Sequence, residues 1–233
     1  MLAIMRRELG AYFRSPVGYV FLAVFYFFAG YFFLAGNLFG MNAHLGGVFN
    51  GLYTLLLFLV PILTMRLLSE ERKNKTEQLL LSAPVSLTAM VLGKYLAAVI
   101  VFVLGLSVTL VYALFIASIT PPNWGHVAGN FVATLLLGMA LIAIGMFVSA
   151  LTENQVIAGI GGFSVALFFS LVDALRTVFG GLPGEIIGAL SFHERYHSFA
   201  LGIFRVADIL FFASVCAVFV FLSIRVFEKR RWS

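Results

Sequence analysis

Two histidines and a glutamate near the end of the chain have the spacing of a zinc site. The run His193–His197 reads His-Glu-Arg-Tyr-His. On a helix, such a run can place two imidazoles on one zinc ion, with the glutamate as general base. A catalytic zinc normally takes a third protein ligand, and the only downstream carboxylates are Asp208 and Glu228. We predict no bound metal here, and keep a zinc peptidase that uses His193, Glu194 and His197 as the less favoured alternative.

The sequence contains no motif for nucleotide hydrolysis. A P-loop requires Gly-x-x-x-x-Gly-Lys followed by Ser or Thr, because its backbone amides surround the phosphates. The only Gly-Lys pair, Gly93-Lys94, is followed by Tyr95. We therefore expect no enzyme activity and no cofactor in this chain, so any energy must come from a partner.

The densest group of charges lies between two apolar runs, from Arg66 to Val85. The segment is amphipathic, short enough for one helix, and stopped by Pro84. It can be a helix that docks on another protein, or an ordinary solvated loop whose charges anchor the apolar runs.

Helices that cross a membrane must position these residues. The 233 residues are 62% hydrophobic and 11% charged, with a mean hydropathy of +1.05, which lies outside the soluble globular class. No charged side chain occurs between Arg14 and Arg66 or between Lys94 and Glu153, and each gap can hold two spans of about 20 residues. We predict six spans in one domain, at about 17–37, 49–68, 89–118, 127–150, 155–175 and 204–226. They form the pairs 17–68, 89–150 and 155–226, with loop 69–88 after the first pair and tail 227–233 at the end.

Residues 1–16 predict a separate helix in the cytoplasmic interface, with an apolar face in the lipid and arginines toward the headgroups. The alternative is a disordered basic tail. The apolar positions are Leu2, Ile4, Met5, Leu9, Tyr12 and Phe13. Pro16 ends the segment.

The basic residues predict the orientation of the spans. With six spans, only Arg176, Arg195 and Arg205 fall on the side opposite the termini, and the other twelve Lys and Arg share the side of the termini. This bias places both termini in the cytoplasm. The net charge of +5 is then explained by anionic lipid, and we expect no nucleic acid partner.

Residues 173–203, which include the outer segment 176–203, combine ionisable and apolar side chains. Ionisable groups at membrane depth are candidates for function, although the segment can also be a plain extracytoplasmic loop. The candidate gate residues are Asp173, Arg176, Glu185, His193, Glu194, Arg195 and His197.

Several stretches match one family in order and spacing. The chain opens with MLAIMRRELGAYFRSP, continues after the second span with LSEERKNKTEQLLLSAPV and LGKYL, and ends with FALGIFRVADILFF and EKRRW. Over its whole length the chain resembles ABC-2 type permeases, the membrane subunits of one large class of ABC transporters. The last two stretches are similar to the gliding-motility branch.

The resemblance implies roles for both polar segments. Loop 69–88 would contain a cytoplasmic coupling helix that docks on an ATPase, with its charges in ion pairs and its leucines in a groove. The coupling residues would be Glu70, Glu71, Arg72, Lys75, Thr76, Glu77, Leu79 and Leu80. Segment 176–203 would form short re-entrant helices that cap the translocation path.

The resemblance also implies an assembly. A second permease copy or a close paralogue would join this chain on an ABC ATPase subunit dimer, which binds ATP and Mg, in a bacterial cytoplasmic (inner) membrane. An auxiliary membrane subunit is a further expected partner. We therefore interpret the chain as an all-α, six-span permease subunit of an exporter, the alternative being a membrane scaffold of a larger envelope complex.

Overall fold

The structure, a computed structural model, describes residues 1–73, 86–178, 188 and 191–231, with the backbone alone at 173–178, 230 and 231. These residues form helices and contain no strand. The helices are α1 (Leu2–Arg14), α2 (Pro16–Phe33, continued by a π-helical turn at Leu34–Leu38), α3 (Gly46–Thr64), α4 (Ser69–Lys73), α5 (Leu87–Leu106), α6 (Val108–Ala117), α7 (Trp124–Leu151), α8 (Gln155–Val178), α9 (Phe192–Ala200) and α10 (Val206–Arg231).

Six helical segments are long and apolar enough to cross a membrane, which confirms the predicted all-α fold with six spans. They are Pro16–Leu38, Gly46–Lys73, Leu87–Ala117, Trp124–Leu151, Gln155–Val172 and Val206–Lys229. The second span joins α3 to α4, and the third divides at Ser107 into α5 and α6. Most of the predicted coupling helix and of the predicted re-entrant segment before α9 lies outside the described residues.

Helix α1 packs against α5 and α2. Ser15 has an extended backbone and Pro16 begins α2, because a residue before proline avoids the helical region and proline suits the first helical turn. The sequence predicts a lipid-facing apolar side for α1, whereas the structure buries Tyr12 and packs Ile4, Leu9 and Phe13 against the core. The reason is that α5 offers a complementary surface, where a side chain at Gly93 would press on Ile4.

Helix α7 is the centre of the bundle and contacts α3, α5, α8, α9 and α10. Three glycines allow this close approach, because an added Cβ would collide with a neighbouring helix. At Gly129 it would meet the carbonyl of Phe199, at Gly138 the ring of Phe102, and at Gly145 the hydroxyl of Thr64. Glycines in α7 therefore allow α3, α5 and α9 to pack closely against this one helix.

The spans divide into buried and peripheral ones. In spans 2 and 4, 61% of an 18-residue apolar stretch is buried, whereas in spans 1, 5 and 6 the share is 28%, 22% and 17%. The peripheral spans expose large apolar side chains such as Phe27, Ile160 and Leu210. These faces are suited to lipid or to another membrane-embedded chain.

Candidate functional site

Three of the predicted coupling residues lie on α4. Glu70, Glu71 and Arg72 are described, and each forms an ion pair within the chain. The remaining five, Lys75, Thr76, Glu77, Leu79 and Leu80, lie outside the described residues. The α4 end of the predicted coupling loop is thus held by contacts within this chain.

The most buried of these ion pairs centres on Lys94 of α5. Its side chain is only 3% exposed, and its Nζ lies 2.9 Å from Oε1 of Glu71 and 3.2 Å from Oε2 of Glu8. Glu8 belongs to α1 and Glu71 to α4. One ammonium group therefore joins three helices that are far apart in the sequence.

Arg7 completes this cluster from α1. Its Nη2 lies 2.8 Å from Glu8 and 3.4 Å from Glu71, so two cations face two carboxylates. Burial raises the pKa of Glu8, but the charges of Lys94 and Arg7 outweigh it, and the pKa is lowered overall. Glu8 therefore stays ionised at neutral pH and keeps its ion pair with Lys94.

A second set of contacts ties α4 to the end of α7. The buried hydroxyl of Ser149 accepts hydrogen bonds from the backbone N–H groups of Leu68 and Ser69, both at 3.1 Å, and donates to the carbonyl of Met65 at 3.0 Å. It thereby satisfies backbone groups at the start of α4 that have no partner within the helix. Arg72 pairs with Glu153 at 2.8 Å in the turn after α7.

Arg66 links the end of span 2 to α1. It lies 3.1 Å from Glu70, donates to the Ser15 hydroxyl at 2.6 Å, and stacks over the Tyr12 ring at 5.6 Å. The Tyr12 hydroxyl donates to the Leu63 carbonyl at 3.0 Å, and burial raises its pKa, so it remains protonated. We call the full set the charged junction: Arg7, Glu8, Arg66, Glu70, Glu71, Arg72, Lys94 and Glu153.

Sequence reasoning missed several members of the charged junction. It placed Lys94 among the basic residues on the side of the termini and Glu8 in the N-terminal helix, and it did not predict that the two would pair. The available signal was a lysine eight residues into an apolar helix, since such a charge must find a partner. Nothing in the sequence marks Ser149.

The predicted gate residues are only partly described. Asp173 and Arg176 lie in the last turns of α8, where the backbone alone is described, and Glu185 lies outside the described residues. His193, Glu194, Arg195 and His197 all lie on α9, whose first turn is capped by the Ser191 hydroxyl accepting from the Glu194 N–H at 3.0 Å.

Helix α9 packs on α7 and α8, and its Tyr196 side chain reaches α3. Its apolar residues Phe192 and Phe199 are buried. The Tyr196 hydroxyl donates to the Phe49 carbonyl at 3.0 Å and lies 3.0 Å from the hydroxyl of Thr134. Asn130 and α9 also meet, since the Asn130 amide donates to the Ala200 carbonyl at 3.3 Å.

The two histidines of the zinc motif do not meet further ligands in the described part of the chain. The ring centroids of His193 and His197 are 6.2 Å apart, and His193 packs edge-on against Tyr53. Among the described residues no group of three His, Cys, Asp or Glu side chains could hold a metal. Asp208, the carboxylate considered as a third ligand, instead pairs with Arg195 at 3.0 Å.

The Arg195–Asp208 pair joins α9 to α10. Asp208 is 5% exposed, and the Arg195 guanidinium also lies 4.1 Å from the centroid of the Phe211 ring. Such stacking is favourable where water is excluded. Of the predicted gate residues, Arg195 therefore has the clearest structural partners.

Comparison with known proteins agrees with this architecture. The family model described as ABC-2 family transporter protein matches residues 19–193, well over half of the chain. The match covers all but the first three residues of span 1, the next four spans, α4 and the start of α9. No curated protein matches the chain. With six apolar helices able to cross a membrane, the chain is a multi-pass membrane protein that belongs to the ABC-2 family of transporters.

Proposed function

We propose that the chain is the permease subunit of an ABC exporter, energised by a separate ATPase subunit that binds ATP and Mg. The observation that carries the proposal is the ABC-2 family match over residues 19–193. Six spans and the absence of a P-loop from the 233 residues support it. The protein would contribute the translocation path, and the ATPase would contribute the energy.

The ATPase contact is proposed for residues 69–83. This segment begins on α4 and leads into α5, and both of these helices take part in the charged junction. A force applied to the segment would act on helices that are held by buried contacts. Glu70, Glu71 and Arg72 would then position the segment, and Lys75, Thr76, Glu77, Leu79 and Leu80 would face the ATPase.

The proposed orientation places the charged junction and both termini in the cytoplasm of a bacterial inner membrane. The distribution of Lys and Arg supports it. Helix α9 and its predicted gate residues would then lie at the outer end of the translocation path.

The complete transporter would contain two permeases, either two copies of this chain or this chain and a close paralogue. The exposed apolar faces of spans 1, 5 and 6 provide room for this contact. An auxiliary membrane subunit and membership of the gliding-motility branch remain predictions from the resemblance.

A membrane scaffold of a larger envelope complex is the second candidate. It would use the same exposed faces without any ATPase. We do not propose a zinc peptidase, because Asp208, which was considered as the third zinc ligand, is paired with Arg195.

The first experiment is purification of the chain from its native membrane in mild detergent, followed by identification of every protein that remains bound. We expect a P-loop ATPase in equal amount to the permease. A stable complex without any ATPase would favour the scaffold, and bound zinc in such a preparation would return attention to His193 and His197.

Charge reversal then tests the ATPase contact. Glu70→Lys and Glu77→Lys should abolish the stimulation of ATP hydrolysis in the complex, while membrane insertion stays normal. Glu228→Lys is the control, because Glu228 forms a similarly exposed ion pair with Arg225 in the last helix. If Glu70→Lys and Glu77→Lys stimulate ATP hydrolysis as strongly as the Glu228→Lys control does, the assignment of this loop to ATPase coupling is contradicted.

A further inference from the structure

Lys94 holds together three elements whose positions along the chain are separate. Its side chain is nearly inaccessible to water, and its two carboxylate partners come from α1 and α4. No other charged residue lies between Lys94 and Glu153, so α5 contributes this single ammonium group to the junction. The contact is therefore specific to one side chain of span 3.

The balance of charge makes Lys94 necessary for this arrangement. Glu8 and Glu71 approach the same ammonium group, and Arg7 reaches both from a more exposed position at 2.8 and 3.4 Å. Without Lys94, the half-exposed Arg7 would have to neutralise two carboxylates in a partly buried site, where like charges repel strongly. Loss of the lysine should therefore separate α1 from α4.

The helices that meet at Lys94 are directly connected to spans 1, 2 and 3. Helix α1 leads through Ser15 directly into span 1, α4 ends span 2, and Lys94 lies near the start of span 3. The segment proposed to contact the ATPase, residues 69–83, includes α4 and precedes α5. A displacement of α4 would therefore reach the ends of three spans, and Lys94 is the group of span 3 that contacts both α1 and α4.

We infer that Lys94 is a positioning residue that makes α1, α4 and α5 move together, so that spans 1, 2 and 3 respond as one unit to the ATPase. Its role in hydrolysis rests on the proposed function. The attachment of α1 to α4 and α5 does not, and can be measured on the permease alone.

The first measurement is hydrogen–deuterium exchange of the purified permease in nanodiscs. We expect Lys94→Met to speed exchange in α1 and α4 by about tenfold or more, because a buried ion pair is broken and the local opening free energy falls. Exchange in α9 should not change. Lys94→Arg, which keeps the charge, should restore slow exchange, and Arg225→Met serves as the control for loss of an exposed cation.

The second measurement is ATP hydrolysis by the complex with the co-purifying ATPase. We expect Lys94→Met to assemble with the ATPase in normal amount but to lose the stimulation that the wild-type permease gives, and Lys94→Arg to recover it. Because Lys94→Met could fail to fold, Glu8→Gln provides a milder variant that leaves the lysine and Glu71 in place and should lose part of the stimulation.

The outcomes separate the two proposals. Wild-type exchange in α1 of Lys94→Met would overturn the inference, whatever partner is found. Faster exchange with normal stimulation would show that the attachment does not transmit movement, which also overturns it. If no ATPase co-purifies, the proposed function fails, while the exchange result still decides whether Lys94 holds α1.

Discussion

Single hydroxyl and carboxylate groups hold helix α9 in place. Tyr196 reaches across the bundle to the backbone of α3 and to Thr134 of α7, and its side chain is buried. Asp208 draws the same helix toward α10 through Arg195. The two middle residues of the zinc-like motif, Arg195 and Tyr196, therefore make the contacts that hold α9 in place.

Tyr196→Phe should lower the free energy of unfolding by about 1–2 kcal/mol, because the Phe49 carbonyl loses its buried donor. Equilibrium unfolding in mixed detergent micelles would measure the change. Tyr31→Phe removes the same hydroxyl from an exposed position and should change the free energy little. Equal effects of the two variants would mean that the Tyr196 hydrogen bond does not stabilise the fold.

Asp208→Asn should lower the free energy of unfolding by about 3 kcal/mol or more, because the partly buried Arg195 guanidinium would face a neutral amide in place of the carboxylate. A double-mutant cycle with Arg195→Gln would isolate the coupling between the two residues. The exposed Arg225–Glu228 pair, treated in the same way, should give less than about 1 kcal/mol. A coupling energy as small as that of the exposed pair would contradict the structural role of Arg195.

Helix packing depends on small residues in α7. Gly138 and Gly145 make close contacts inside one chain, against Phe102 of α5 and Thr64 of α3. Gly129 makes the corresponding contact to α9. Sequence shows that a glycine permits close approach, but the approaching helix depends on the packing of the whole bundle.

Gly145→Ala should lower the free energy of unfolding by about 2 kcal/mol or more, because the new methyl group would overlap Thr64 and push α3 away from α7. Gly47→Ala is the matched control, since Gly47 lies in α3 with open space around it. There the substitution should be neutral or stabilising by up to about 1 kcal/mol. Unfolding measurements that rank the two variants in the opposite order would contradict the packing of α7 on α3.

The whole molecule has two chemically different ends. One end carries the charged junction, with α1 and the turn after α7 packed around α4. The other carries α9 and the start of α7, which meet where His126 and Asn130 contact the Ala200 carbonyl. An even number of spans puts the first and last residues of the chain on the same side.

Cysteine accessibility tests the proposed orientation. In a Cys216→Ala background, cysteines at Met41 and Leu201, both exposed, should react with a membrane-impermeant maleimide on intact spheroplasts. A cysteine at the exposed Arg6 of α1 should react only after the membrane is opened, because α1 is then on the cytoplasmic side. The reverse pattern would place α9 in the cytoplasm and remove the proposed ATPase contact.

The amino-acid sequence by itself determined the number of spans and the position of the charged loop, because hydropathy is a sum over neighbouring residues. It also identified the segments that carry ionisable groups at each end. Only the tertiary structure decided that Lys94 pairs with Glu8 and Glu71, and that the apolar face of α1 packs on protein. Those contacts join residues from separate helices, so their distances depend on how the bundle packs and on no local pattern in the chain.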